Sequence, residues 1–313
     1  MISRNSRSDY RIRFRRKKII RITFVFTVLV LSSGGFLLFS GNTSTFASHD
    51  RAILELWKTG SYKEVFDRSE KELEKSPMNF FLLMAHGFSS YQLALAQINH
   101  LDMISYMDRA IWALRKAQLT KQGENDPRIK YVLGQSYFYK GPSYADLCIK
   151  YLEEAEKSYK AEDIPQFLGL AYASIRDYRS SVKAFSEALH QEEEKKETSD
   201  ILLLAIARSY IELEEPDIAR PYLMRIFEIS RDFNTISTAR LMLSDILMNA
   251  GDFKEAETQI LSVLKEGGDS AEAHFELGEL YYVQNDYYRA RAEWRKASHL
   301  DPNFEPARAR LSA

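Results

Sequence analysis

A chain of 313 residues with 45% hydrophobic and 28% charged side chains has the composition of a folded protein, with too few Gly (13) and Pro (8) for a disordered one. The same scarcity of turn residues disfavours an all-β fold, which needs a tight turn roughly every ten residues. The net charge of −1 hides an asymmetry: nine basic residues against Asp9 in the first 21 leave the remainder near −9, an acidic body unsuited to nucleic acid.

The basic residues (Arg4, Arg7, Arg11, Arg13, Arg15, Arg16, Lys17, Lys18 and Arg21) form an N-terminal tail over residues 1–21. Residues 22–40 follow, and ITFVFTVLVLSSGGFLLF, Ile22 to Phe39, carries no charge. As a helix it measures about 27 Å, enough to cross a bilayer. Positive charge ahead of such a segment holds the N-terminus in the cytoplasm, which places the repeats that follow on the extracytoplasmic, periplasmic side. Two readings stay open. A signal anchor keeps the segment, whereas a signal peptide is cut near Thr45-Phe46-Ala47. The single cysteine, Cys148, excludes an intramolecular disulfide.

Residues 46–126 hold two irregular helix pairs, one around Trp57, Gly60, Tyr62 and Pro77, the other joining His86-Gly87 to Ala110, Leu114 and Ala117 across an insertion that includes Gln97 to Ile104. Residues 127–304 read as five better-formed pairs, starting near Pro127, Glu162, Asp200, Thr238 and Ala271. The last two align without gaps at a period of 34 residues, pairing Leu277 with Leu243, Gly278 with Ser244, Tyr281 with Leu247, Ala290 with Ala256 and Trp294 with Ile260. Turn signals separate the helices at Asn249-Ala250-Gly251-Asp252, Asn285-Asp286 and Asp301-Pro302. Residues 305–313 read as a short tail, too short to cap the array with a full helix pair.

The spacing has a steric cause. Small residues recur on first helices (Gly134, Gly169, Ala207, Ser244, Gly278) and at facing positions of second helices (Cys148, Ser181, Ala219, Ala256, Ala290), where two helices cross closely. Large ones fill the space a turn or two away: Leu152, Phe185, Leu223, Ile260 and Trp294 on second helices, Tyr137, Tyr172, Tyr210 and Tyr281 on first helices.

Leu277, Gly278, Tyr281, Ala290, Trp294 and Pro302 resemble the tetratricopeptide repeat (TPR), with His274 in place of the opening Trp and Trp294 in place of the Phe. The resemblance implies an all-α fold: a right-handed superhelical solenoid of about seven helix pairs, here preceded by one N-terminal transmembrane helix. It also implies that first helices line a concave inner wall where a partner protein or peptide binds. On that wall the helical offset selects Tyr131, Gln135, Phe138, Tyr139, Leu170, Leu204, Arg208, Ile211, Leu241, Asp245, Met248, Phe275, Glu279 and Tyr282. Repeats of this family that bind acidic chaperone C-termini use Lys and Asn at these places. Here Tyr131, Gln135, Leu204, Arg208, Leu241 and Asp245 stand there instead, so the resemblance implies an apolar helix or extended segment as ligand.

No catalytic constellation is visible. The six histidines are scattered, and there is no H-E-x-x-H, C-x-x-C or Gly-rich phosphate loop. The sequence therefore predicts no enzyme, cofactor, metal or small-molecule substrate, and a membrane-anchored interaction adaptor of the bacterial envelope. Alternatives are a mitochondrial outer-membrane receptor with cytosolic repeats, or a secreted protein after signal cleavage.

Overall fold

The computed structural model describes residues 48–312. The expected tail 1–21 and membrane segment 22–40 lie outside these residues, and among those described no helix is long and apolar enough to cross a membrane. The described chain is all helix, without strands. It divides into two compact units, residues 48–194 and 195–312.

The first unit holds α1 (Ser48–Lys58), α2 (Tyr62–Lys75), α3 (Phe80–Leu95), α4 (His100–Gln118), α5 (Pro127–Lys140), α6 (Ala145–Glu156), α7 (Ile164–Ser174) and α8 (Tyr178–Glu194), with a 3-10 turn at Pro142–Tyr144. The second holds α9 (Asp200–Glu212), α10 (Pro216–Ile229), α11 (Phe233–Ala250), α12 (Phe253–Gly267), α13 (Ala271–Val283), α14 (Tyr287–Leu300) and α15 (Glu305–Ser312). Within each unit every helix packs on the next in sequence, and first helices also touch first helices, α3 on α5 on α7 and α9 on α11 on α13. The first helices thus form a layer of their own.

Short polar side chains start several of these helices by accepting from the first free N–H groups. Asn79 accepts from Leu82 N at 3.1 Å, Asp232 from Thr235 N at 2.8 Å, and Asp286 from Arg289 N at 3.0 Å. Five of the turns within helix pairs share one geometry. Gly60, Arg176, Glu214, Gly251 and Asn285 all have left-handed backbone conformations, with φ of 74°, 66°, 62°, 88° and 63°. In each case the next N–H reaches back five residues, as from Asp177 to the Tyr172 carbonyl, Glu215 to Tyr210, Asp252 to Leu247 and Asp286 to Tyr281. This closure satisfies a carbonyl that the helix end leaves open. It recurs at the residue that marks the repeat, so local turn and long-range register agree.

The small-to-large packing is literal. A Cβ on Gly134 would lie 2.6 Å from Leu152 Cγ, one on Gly169 2.4 Å from Phe185 Cδ1, one on Gly278 2.5 Å from Trp294 Cδ1, and one on Gly87 2.6 Å from Leu114 Cγ. Only glycine lets these helices approach so closely. Ser181 fits the same crossing by donating to the Gly169 carbonyl at 2.9 Å. Cys148 is fully buried at the corresponding place, and burial pushes its thiol up to about 12. The thiolate is the reactive form. Cys148 should therefore resist a thiol reagent at pH 8 in the native chain and react at once after denaturation, which a colorimetric thiol titration checks.

The C-terminal residues do more than the expected tail. They fold as α15, which packs on α14 and buries Phe304 and Ala307 against Trp294 and Ala297. A single short helix thus covers the last pair.

Candidate functional site

The fourteen first-helix residues selected from sequence fall into two groups, one in each unit. In the first unit, Tyr131 and Gln135 are committed to a polar network. The Tyr91 hydroxyl donates to Gln135 Oε1 at 2.7 Å, Gln135 Nε2 donates to Tyr131 Oη at 2.8 Å and to Asp163 Oδ2 at 2.9 Å, and Tyr131 donates to both Asp163 oxygens at 2.8 and 2.7 Å. Gln135 is buried, with 2% of its surface exposed. These groups join α3, α5 and the start of α7, a structural assignment in place of the ligand-facing one their spacing suggested. Phe138 and Tyr139 are half-buried, edge-on to Phe167 at 5.1 and 6.2 Å. Leu170 is half-buried on α7.

Burial raises the Asp163 carboxyl above its ordinary value of 3.8, against the lowering effect of the Tyr131 hydrogen bond. A folded-state value above the unfolded one means that the native state binds the proton more tightly. The Asp163 contribution is therefore most favourable below pH 3.8 and is lost as pH rises through the raised value. Asp163→Asn should flatten that downward slope, as read from urea unfolding of wild type and variant between pH 3.5 and 7. Tyr131→Phe should cost about 1–3 kcal/mol at any of these pH values by stranding a buried acceptor.

In the second unit the selected residues divide further. Leu204 is buried between helices, and Ile211 and Met248 are half-buried at the ends of α9 and α11. Glu279 is buried and closed off by α15: Arg310 donates to its two oxygens from Nε at 2.7 Å and from Nη2 at 2.6 Å. Tyr282 lies under the same guanidinium at 4.9 Å and is otherwise 38% exposed. Arg208, Leu241, Asp245 and Phe275 come together on one surface.

That surface is a groove of about 340 Å³. Leu241, Met242 and Asp245 of α11 form its base and Arg208 of α9 one side. Glu272, Phe275 and Glu276 of α13 form the other, and Phe304 and Pro306 close it near the start of α15. Phe233 and Gly267 bound it where α11 begins and α12 ends. The aromatic ring of Phe233 occupies the space that a side chain at Gly267 would need, with Cζ 1.9 Å from the position of its Cβ. The groove combines apolar side chains with polar and charged ones, among them Arg208, Asn234, Asp245, Glu272 and Glu276. No group of His, Cys, Asp and Glu that could hold a metal ion occurs among the described residues.

Residues 241–303 match the tetratricopeptide repeat family. These residues run from within α11 through α14 and include the α13 wall of the groove. Among solved structures, the C-terminal part of a TPR repeat-containing protein from Cytophaga hutchinsonii superposes with a TM-score of 0.59 at 15% identity, over 82% of this chain and 97% of that one. Pseudomonas aeruginosa pilF gives 0.52 at 15% identity, over 72% and 96%, and a tetratricopeptide repeat protein from Parabacteroides merdae gives 0.50 at 15% identity, over 85% and 98%. At such identities the likeness concerns the fold. No curated protein sequence matches the chain.

Within the TPR pattern, the departure at His274 has a structural counterpart. The ring is buried and hydrogen-bonded through Nδ1 to Glu293 of α14 at 2.6 Å, so the two helices of the last pair are joined by a polar contact where the pattern has Trp. Sequence spacing did not find Phe233, Glu272, Glu276 or Phe304 as groove residues. Glu272 and Glu276 sit one turn apart on α13, next to the selected Phe275, and a wider helical face would have included them. Phe304 precedes a helix taken for a tail, and nothing in the repeat pattern marks it.

Proposed function

We propose that this protein is an interaction adaptor that receives a segment of a partner protein in the groove between α9, α11 and α13. We further propose that residues 22–40 hold it in the membrane with the repeats on the extracytoplasmic side. The groove carries the first reading: a floor in which Leu241 is partly exposed beside the buried Met242 and Phe275, on a layer of first helices, is the kind of surface on which TPR repeats take a helix or extended segment. For the second, the support is the uncharged run from Ile22 to Phe39 behind nine basic residues.

Leu241→Glu places a charge on the groove floor, whereas Leu261→Glu places one on an exposed part of α12 away from it. Affinity capture of the full chain from its native membranes should lose its partner with Leu241→Glu, at least ten-fold in yield, and keep it with Leu261→Glu. Equal recovery with both variants would rule out the groove.

A further inference from the structure

Two groups of exposed large apolar side chains flank α4. Trp112 and Leu119, with Met78 ahead of α3, are 52%, 77% and 48% exposed toward its end, and Ile98 and Leu101 are 99% and 76% exposed at its start. Trp112 and Leu119 are seven residues apart on one face of α4. Lys116, between them, lies over the Trp112 ring at 4.4 Å, and Lys121 is exposed just beyond. Glu74 and Glu124, exposed at the same end, balance the two ammoniums.

The fold brings the first group level with the start of α1. The helices reverse at Gly60, at Pro77 and between α3 and α4, so the starts of α1 and α3 and the ends of α2 and α4 share one end. A Cβ on Gly123, just past α4, would lie 3.0 Å from Phe80 Cε2 at the start of α3. Trp57, nine residues after Ser48, packs 6.4 Å from Phe88, eight residues after Phe80, so Ser48 and Phe80 are level. Seven residues, 41–47, separate Ser48 from the segment 22–40, and even fully extended they span at most about 25 Å. The Leu101 end of α4 lies about 27 Å further off, beyond that reach.

Resting on the membrane reading above, we infer that the face of Met78, Trp112 and Leu119 seats on the bilayer surface. Met78 and Leu119 enter the acyl boundary. Trp112 is about 10 Å from Leu119 along α4, which puts the indole and Lys116 at headgroup height, where Trp and Lys are at home. The contact removes apolar surface from water, and its balanced charge makes it insensitive to salt.

The test reconstitutes the full chain in bilayers of phosphatidylcholine and phosphatidylglycerol. A bimane label is placed on Leu119→Cys or, at the far end of α4, on Ile98→Cys; Cys148, the other thiol, is buried. Both positions are exposed, and far-UV circular dichroism verifies that the helices persist. Lipids bearing a nitroxide near the headgroup should quench the label at residue 119 at least three-fold more than the label at residue 98, and added salt should leave the difference unchanged. Equal quenching at both positions, or none at residue 119, in a chain that alkaline carbonate does not extract overturns the seating and leaves the anchor standing; the patch then fits a protein partner instead. Extraction of the chain by alkaline carbonate defeats the membrane reading, and the inference falls with it.

Discussion

Replacing Trp294 with Ala is expected to cost about 3–5 kcal/mol, because it removes a large buried ring from a core that relaxes only in part. The ring packs with Ala290, Ala297, Phe304 and Ala307, and beneath it Gly278 leaves room for the indole. Gly278→Ala alone should cost about 1–3 kcal/mol through overpacking, since its Cβ would come within 2.5 Å of both Trp294 Cδ1 and Nε1. In a Trp294→Ala background the same substitution should cost nothing. It should even gain a fraction of the roughly 1 kcal/mol by which Ala exceeds Gly in helix propensity, limited by the Ala290 carbonyl oxygen at 3.1 Å. The sign reversal is the diagnostic, because it measures the contact itself. Repeat arrays do not always unfold as one unit, so the readout is amide hydrogen exchange across α13 and α14. Additive effects would mean that Gly278 and Trp294 are not packed as a pair.

Replacing Arg310 with Ala is expected to cost a further large amount, about 3–5 kcal/mol, the usual penalty for removing one member of a buried ion pair. Glu279 exposes only 2% of its surface, and the guanidinium that grips both its oxygens also lies over the rings of Tyr282 at 4.9 Å and Trp294 at 5.5 Å. Arg310→Lys should recover little, since an ammonium cannot form the parallel pair of hydrogen bonds. Arg310→Leu combined with Glu279→Leu should be far milder than Arg310→Ala, since apolar replacement of both partners avoids a stranded charge. Loss of α15 should appear as fast exchange of residues 305–312 in Arg310→Ala and protection in the double variant. Equal protection in wild type and Arg310→Ala would show that the ion pair does not hold the end of the array.

Much of the fold was legible because small residues at helix crossings cannot be replaced cheaply. Gly134, Gly169 and Gly278 each sit under the large side chain expected to fill the space, and Cys148 and Ser181 occupy crossings where only a small residue fits. The turns were legible where Gly251 and Asn285 carry the left-handed residue, but Arg176 and Glu214 adopt the same conformation without a local signal, the surrounding helices imposing it. The site was less legible. Helical offset gives a direction, yet whether a side chain meets solvent or another chain segment depends on residues far away in sequence. Gln135 points toward Tyr91 and Asp163, and Glu279 toward Arg310, so both are structural, while Arg208, Leu241, Asp245 and Phe275 line a groove that only the packed α9, α11 and α13 create.

The most direct measurement of groove binding is site-specific photocrosslinking in intact cells, with a benzophenone amino acid placed in turn at Leu241, Glu276 and Leu261 of the full chain. Leu241 and Glu276 line the groove, whereas Leu261 is 46% exposed on α12 outside it. Groove binding predicts the same crosslinked partner from Leu241 and Glu276 and none from Leu261. A partner captured from Leu261 alone, or equally from all three positions, would contradict it.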